Sequence, residues 1–148
     1  MIGLFFGVNG KKLQRQYKKH LSSFRAWEPK EHAHQWIIYP QNIGTHLAID
    51  EVTLSQGELY TVVTNKKAKG KKGSLVAIVA GTKTEQVIEH VSKITVKKKQ
   101  AVIEIILDMA NSMKLIAKKC LTKAIQVTDC FHLQKLALEA LQELRIKH

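Results

Sequence analysis

The sequence contains little aspartate, arginine, cysteine or proline. Three of the 12 acidic residues are Asp, three of the 24 basic residues are Arg, and Cys and Pro occur twice each. Cys120 and Cys130 lack the CxxC spacing and neighbouring histidines of a zinc site, and two cysteines are too few for a disulfide-stapled secreted scaffold. We therefore expect reduced thiols in a cytoplasmic protein. The scarcity of Arg argues against sequence reading through bidentate contacts to guanine, which favour Arg over Lys.

Long apolar runs and targeting signals are also missing. No run approaches the ~20 apolar residues that a membrane-spanning helix needs. The N-terminus has an apolar stretch without a preceding basic region or a small-residue cleavage site, so it is not typical of a secretory signal. With 148 residues, 45% hydrophobic and 24% charged, the composition is that of about one folded globular domain, and no membrane association is expected.

The abundant charged residue is lysine. With 24 Lys and Arg residues against 12 Asp and Glu residues, the formal net charge is +12. Charge alone does not separate a polyanionic partner from a merely soluble basic surface. A polyanion, if bound, would be held by its phosphate backbone in a salt-sensitive way that does not depend on sequence. Five lysines fall within one predicted loop between two strands: Lys66, Lys67, Lys69, Lys71 and Lys72.

Residues 1–44 differ in composition from the rest of the chain. They hold both tryptophans, both prolines and two of the three arginines. This segment has too little apolar material for an independent core. It is predicted to be a connector that follows a missing upstream region, or the end of an upstream domain, while residues 45–148 form the main domain.

The periodicity of residues 45–148 predicts an α/β domain. Three short strands at 46–52, 57–64 and 74–80 are joined by short loops, which indicates an antiparallel meander. Helical spacing then alternates with strands at 101–107 and 124–128, and an amphipathic helix closes the chain. The order βββαβαβα predicts a mixed five-stranded sheet flanked by helices, because strands separated by a helix run parallel. This is the element order of the ribonuclease H-like fold.

All three aspartates are placed where predicted apolar strands end. Asp108 and Asp129 precede helices, so capping is an alternative explanation for them, whereas no helix follows Asp50. If the first strand lies beside the fourth, Asp50 and Asp108 are close, and their mutual repulsion favours a divalent cation between them. Carboxylate oxygens suit Mg²⁺ or Mn²⁺. Glu51 faces the other side of an alternating strand and is not predicted to be a ligand.

Three separated motifs resemble one family. Residues 49–65 with the following Lys/Gly loop are similar to the opening of the catalytic domain of bacterial insertion-sequence transposases of the ISL3 group, which carry a DDE triad. Residues 107–111 resemble the second acidic motif of these enzymes. Residues 127–132 with 134–138 resemble their Asp-Arg-Phe-His motif and the helix after it. The resemblance covers residues 11–148.

The resemblance implies DNA cleavage and strand transfer in transposition, with Mg²⁺ or Mn²⁺ as cofactor and DNA as partner. Asp50 and Asp108 match the first two catalytic carboxylates. The third, a Glu, lies further downstream in the family, so this chain is expected to be a truncated core that is inactive as it stands. Cys130 replaces the Arg of the third motif. Residues 1–44 match only the connector that follows the family's DNA-binding region.

Two further interpretations stay open at the level of the sequence. The chain is alternatively a small metal-dependent nuclease with Asp129 as its third carboxylate, or a catalytically dead nucleic-acid-binding domain. In each case the five loop lysines would contact the nucleic-acid backbone. A homo-oligomer is compatible with all of these interpretations.

Overall fold

The computed structural model describes residue 7, residues 9–54 and residues 57–147. The N-terminal apolar stretch considered above as a secretory signal therefore lies almost wholly outside the described residues. The chain divides into two compact units, residues 1–34 and residues 35–148. None of the helices in the described ranges combines the length and the apolar character that crossing a bilayer requires.

The first unit contains a short helix followed by irregular turns. Helix α1 spans Gly10–Gln16, and the Asn9 side chain caps it by accepting a hydrogen bond from the Lys12 amide. A π-helical turn follows at Tyr17–Leu21, and 3₁₀ turns form at Ser23–Ala26 and Glu28–Glu31.

The second unit is a mixed sheet with helices. Its strands are β1 (Trp36–Ile38), β2 (His46–Thr53), β3 (Leu59–Asn65), β4 (Leu75–Ala80), β5 (Glu104–Leu107) and β6 (Ile125–Thr128). Its helices are α2 (Thr84–Ser92), α3 (Val96–Gln100), α4 (Asn111–Cys120) and α5 (Cys130–Lys147). The strand order is β1-β4-β3-β2-β5-β6. Strand β5 pairs in parallel with β2 and β6, and the remaining pairs are antiparallel.

The expected five-stranded sheet is wrong by one strand, because β1 adds a sixth. Strand β1 pairs with the edge of β4, where the Ala80 amide donates to the Gln35 carbonyl at 2.7 Å and the Tyr39 amide to the Val76 carbonyl at 2.7 Å. Three residues are too few for an alternating pattern to show in the sequence. The mixed character of the sheet is confirmed, and the first and fourth predicted strands, here β2 and β5, lie side by side, which is the condition for Asp50 and Asp108 to be close.

The hydrophobic core lies on one face of the sheet, under α2 and α4. Leu47 and Ile105 are register partners on neighbouring strands and are each 1% exposed. Helix α2 buries Val87 and Val91, which are one turn apart, and α4 buries four side chains: Met113, Ile116, Ala117 and Cys120. The alternate residues of β2 lie on the other face of the sheet, where Ala48 is half-buried and Asp50 is exposed.

Two helices start without a side-chain cap. Lys83 occupies the cap position of α2 and Thr84 is its first helical residue. The basic segment after Thr95 forms the short helix α3. The final helix was predicted correctly, and in the described residues of α5 no side chain is buried.

Candidate active site

Asp50 lies within strand β2, at a level beyond the end of β5, the parallel strand beside it. Strand β2 continues to Thr53, so the prediction that Asp50 ends this strand is wrong. The pairing with β3 carries β2 onward, and Asp50 is opposite Val62 there. On its other side β5 ends at Leu107. The Asp50 side chain is therefore exposed at a step in the sheet edge, where it lacks a paired neighbour on β5.

The three aspartates fall on one line across three neighbouring strands. Ala48 of β2 pairs with Ile106 of β5, and two residues further along both strands are Asp50 and Asp108. Leu107 of β5 pairs with Thr128 of β6, and one residue further are Asp108 and Asp129. The Asp129 amide donates to the Leu107 carbonyl at 2.8 Å, which extends this ladder past the end of β6. Since neighbouring strands are about 4.8 Å apart, the three backbone positions follow one another at about that spacing, and we call them the acidic row.

Each aspartate uses one oxygen to fix its local backbone. Oδ1 of Asp129 accepts from the Phe131 amide at 2.9 Å, which is an N-cap bond for α5. Oδ1 of Asp108 accepts from the Ala110 amide at 2.9 Å, just before α4. Oδ1 of Asp50 accepts from the Glu51 amide at 2.8 Å. The capping alternative is thus confirmed for Asp129, yet Oδ2 of each aspartate takes no hydrogen bond among the described residues.

Glu51 is a fourth carboxylate that belongs to this acidic region. Burial raises the pKa of the Glu51 carboxyl above its usual range, and the charges of Asp108 and Asp50 raise it further. Strand alternation had excluded Glu51 from the sequence prediction. Glu51 stays outside the predicted ligands, yet the charge of Asp108 acts on it, because β5 stops at Leu107 and the next residue, Asp108, is not confined to one face of the sheet. The early end of β5, marked by the Asp-Met-Ala-Asn loop, was the available signal.

The donor set fits a hard divalent cation only in part. In the described ranges, no group of three or more His, Cys, Asp or Glu residues is arranged to hold a metal ion. Mg²⁺, however, is often bound through one or two carboxylates with water and substrate phosphates completing its shell. Asp50 and Asp108 each keep Oδ2 without a hydrogen bond among the described residues, so they are the two side chains that could act as ligands under that smaller requirement. Burial is the largest cause of the raised pKa of Glu51, and the charges of Asp108 and Asp50, which a cation would offset, add to it.

The predicted lysine loop connects β3 and β4 and lies at the other end of the sheet. All five lysines, Lys66, Lys67, Lys69, Lys71 and Lys72, are exposed. The loop begins after Asn65, which pairs with Leu47, whereas Asp50 pairs with Val62. Three residues of strand separate the two levels, a distance of about 10 Å. The structure therefore does not bring these lysines into the acidic row.

Local interactions at the base of the lysine loop explain its conformation. The Asn65 side chain accepts from the Lys67 amide at 3.1 Å and donates to the Asn42 carbonyl at 3.0 Å. Lys69 has a positive φ of 48°, and Gly70 follows with a φ of 75°, a left-handed pair that turns the chain back toward β4. The backbone of the loop is thus braced while its ammonium groups remain in solvent.

Comparison with protein families identifies the chain. The family model DDE_Tnp_ISL3, described as Transposase, matches residues 47–148. This match covers more than half of the sequence and includes all three aspartates and the lysine loop, so the chain belongs to the DDE_Tnp_ISL3 transposase family. The ISL3-like resemblance of the three motifs is thereby confirmed. No curated protein was found to match the chain.

Proposed function

We propose that this transposase-family chain carries the catalytic core for metal-dependent DNA cleavage and strand transfer, in a ribonuclease H-like domain that begins near residue 45 and to whose sheet the preceding segment adds β1. The observation that supports this most directly is the parallel register of β2 and β5, which, extended two residues past Ala48 and Ile106, aligns Asp50 with Asp108. In open α/β sheets, ligands bind beyond the carboxyl ends of such strands. The family match starts at residue 47, next to the proposed boundary with the 1–44 connector.

In this proposal the carboxylates hold the metal ion in position and form no covalent bond to the DNA. Oδ1 of Asp50 and Oδ1 of Asp108 are held by backbone amides, which leaves each Oδ2 without a hydrogen bond among the described residues. Asp50 and Asp108 would hold Mg²⁺ or Mn²⁺, which supplies Lewis-acid stabilisation of the oxygens in an in-line phosphodiester displacement. Glu51 adds negative potential at the same place and strengthens the preference for a divalent cation.

The lysine loop supports a DNA substrate at a distance from the reacting phosphodiester. A duplex rises 3.4 Å per base pair, so the separation of about 10 Å along β3 corresponds to about three base pairs. Lys66, Lys67, Lys69, Lys71 and Lys72 would neutralise flanking phosphates. In this arrangement the loop holds the DNA and the acidic row selects the phosphate that reacts.

The test measures Mn²⁺ binding first and nicking of supercoiled DNA second, because the family's third carboxylate, a Glu, is not assigned in this sequence. We expect wild-type protein to bind Mn²⁺, and Asp50→Asn and Asp108→Asn to lose that binding. Glu89→Gln, an exposed carboxylate change on α2, is the matched control and should bind as wild type. Equal Mn²⁺ affinity in wild type and Asp50→Asn would exclude the proposed metal site.

A second candidate, a small nuclease with Asp129 as third carboxylate, has one specific observation in its favour. Asp129 continues the register line through Asp108, although its position is two strands away from Asp50. Nicking that is abolished by Asp129→Asn favours this candidate, and nicking that survives it does not. DNA binding with a steep salt dependence that neither chelator nor Asp50→Asn changes would instead indicate a binding domain without catalysis.

A further inference from the structure

The N-terminal unit contains a basic groove that lies outside the matched transposase domain. The groove has a volume of about 480 Å³ and is lined by Gln14, Phe24 and six cationic side chains: Lys11, Arg15, Lys18, Lys19, Arg25 and Lys30. One wall is α1 with the π-helical turn after it, and the other is the segment that returns through Phe24 to Lys30. No carboxylate contributes to the lining.

The helical wall places several positive charges close together without acidic side chains to neutralise them. Lys11, Arg15 and Lys18 recur at spacings of four and three residues, which places them on one side of the helical segment. Like charges at such spacings destabilise a helix. Helix α1 has no acidic residue in its first turn, and across the described residues 9–34 no carboxylate lies within 4.0 Å of these cations. A bound polyanion would offset this repulsion.

The opposite wall presents an aromatic ring among the cations. Phe24 is half-buried, and the Lys18 ammonium lies 4.9 Å from the centre of its ring. The Ser22 side chain fixes this wall, because its hydroxyl accepts from the Phe24 amide at 3.3 Å and donates to the Lys18 carbonyl at 3.3 Å. Phe24 also lies against Trp27, with 6.1 Å between ring centres. The groove thus combines a cationic track with an aromatic platform, the combination that follows a nucleic-acid strand.

We propose that this groove is a DNA-backbone binding site separate from the lysine loop and from the acidic row. Its ligand is the phosphodiester backbone of DNA, contacted by Arg15, Lys18 and Arg25 on the two walls. The binding needs no metal, so it does not depend on the carboxylates. A transposase-family chain would then hold DNA through its connector as well as through its catalytic domain, and the two contacts would add to the salt dependence of binding.

The experiment measures fluorescence anisotropy of labelled 20-mer duplex and single-stranded DNA with the full chain in excess chelator, between 50 and 200 mM salt. The variant Arg15→Gln/Lys18→Gln/Arg25→Gln should bind at least about tenfold more weakly at the low-salt end and lower the salt slope on duplex DNA by about 2.7, since each phosphate contact contributes about 0.9. The control Lys114→Gln/Lys118→Gln/Lys119→Gln removes the same charge from exposed positions on α4 and should change the slope much less.

The variant Phe24→Leu distinguishes the binding of single-stranded DNA from the binding of duplex DNA. Loss of a stacked base would weaken single-stranded binding by roughly 5-fold or more and leave duplex binding unchanged. Thermal unfolding of each variant checks that the unit remains folded. Equal effects of the groove and α4 variants would overturn the proposal, as would binding of the groove to anionic vesicles without binding to DNA. Because chelator is present throughout, a failure here is distinct from a failure of the metal site.

Discussion

Asp50 and Asp108 are aligned across the β2–β5 pair, each two residues beyond the last paired residues, Ala48 and Ile106. The backbones of the two residues are held in different ways. Asp50 is held within β2 by its pairing with β3, whereas Asp108 begins the loop before α4. One carboxylate is therefore on a rigid strand and the other on a turn fixed by its own hydrogen bond to the Ala110 amide. A cation bound between them would tie the turn to the strand.

The first prediction is that Mn²⁺ raises the thermal stability of the wild-type protein and not that of Asp50→Asn or Asp108→Asn. Metal at one hundred times its dissociation constant stabilises the folded state by about 2.7 kcal/mol. Asn keeps the Oδ1 acceptor that Asp50 and Asp108 use for backbone amides, so each variant should melt no lower than wild type without metal. Differential scanning fluorimetry with and without Mn²⁺ measures both effects. Stabilisation of all three proteins alike would contradict the prediction.

The second prediction concerns the pKa of Glu51. Burial, then the charge of Asp108, then that of Asp50 raise this pKa, so Asp108→Asn should lower it more than Asp50→Asn does. Because the folded-state pKa is the higher one, the folded state binds the proton more tightly than the unfolded chain. The free energy of unfolding therefore falls as pH rises from the ordinary Glu range through the raised pKa. Carboxyl-carbon NMR titration checks the order of the shifts, and Glu51→Gln should flatten this pH dependence.

Five of the six strands were predictable from the sequence, whereas β1 was not, because three residues are too few to show an alternating pattern. Alternating and helical patterns located β2 to β6, and the pairing places β2 beside β5, an adjacency that the sequence left open. The position of Lys66–Lys72 follows from hairpin register, since Asn65 pairs with Leu47 at the far end from Asp108. This placement already follows from the predicted antiparallel meander, in which the loop after one strand lies where the preceding strand begins.

The pKa of Glu51 illustrates a second limit of prediction from the sequence. Strand alternation correctly assigns Glu51 and Asp50 to opposite sides of β2. A charge on one face of the sheet nevertheless acts on a group on the other face, because a sheet is a single layer of backbone. Asp108 begins a turn, and its charge acts on Glu51 more strongly than that of the adjacent Asp50. Local patterns predict faces, while the pKa of a group depends on every neighbour in three dimensions.

The third prediction compares two isoleucines in the same segment of chain. Ile105→Ala should lower the free energy of unfolding by about 2–5 kcal/mol, because Ile105 is 1% exposed in the centre of the core and leaves a cavity. Ile103 is 54% exposed just before the same strand, so Ile103→Ala should cost much less. Urea unfolding followed by circular dichroism measures both. Similar losses for the two variants would show that the core is not centred on β5.

The fourth prediction concerns the reactivity of the two thiols. Cys130 is exposed at the start of α5, whereas Cys120 is buried at the end of α4, where burial raises the pKa of its thiol. Alkylation of the native protein near neutral pH should therefore modify Cys130 first, by more than roughly tenfold in rate. Intact-mass measurement of Cys120→Ala and Cys130→Ala assigns the sites. Because the unfolded chain ionises Cys120 at lower pH, the free energy of unfolding should also fall as alkaline pH approaches the raised pKa.

The fifth prediction tests the brace under the lysine loop. A Cβ added at Gly44 would lie 2.6 Å from Oδ1 and 2.7 Å from Nδ2 of Asn65, so Gly44→Ala must displace the side chain that bonds the Asn42 carbonyl and the Lys67 amide. We expect a loss of about 1–3 kcal/mol in the free energy of unfolding.

Asn65→Ala supplies the matched comparison for that brace. It removes the same two hydrogen bonds without a clash, so the double variant Gly44→Ala/Asn65→Ala should be little less stable than Asn65→Ala alone. Such non-additivity arises because each change acts through one shared side chain. Urea unfolding of the four proteins completes the cycle. Additive losses would mean that Gly44 is required for a reason unrelated to Asn65, and the loop would then be positioned by β3 and β4 alone.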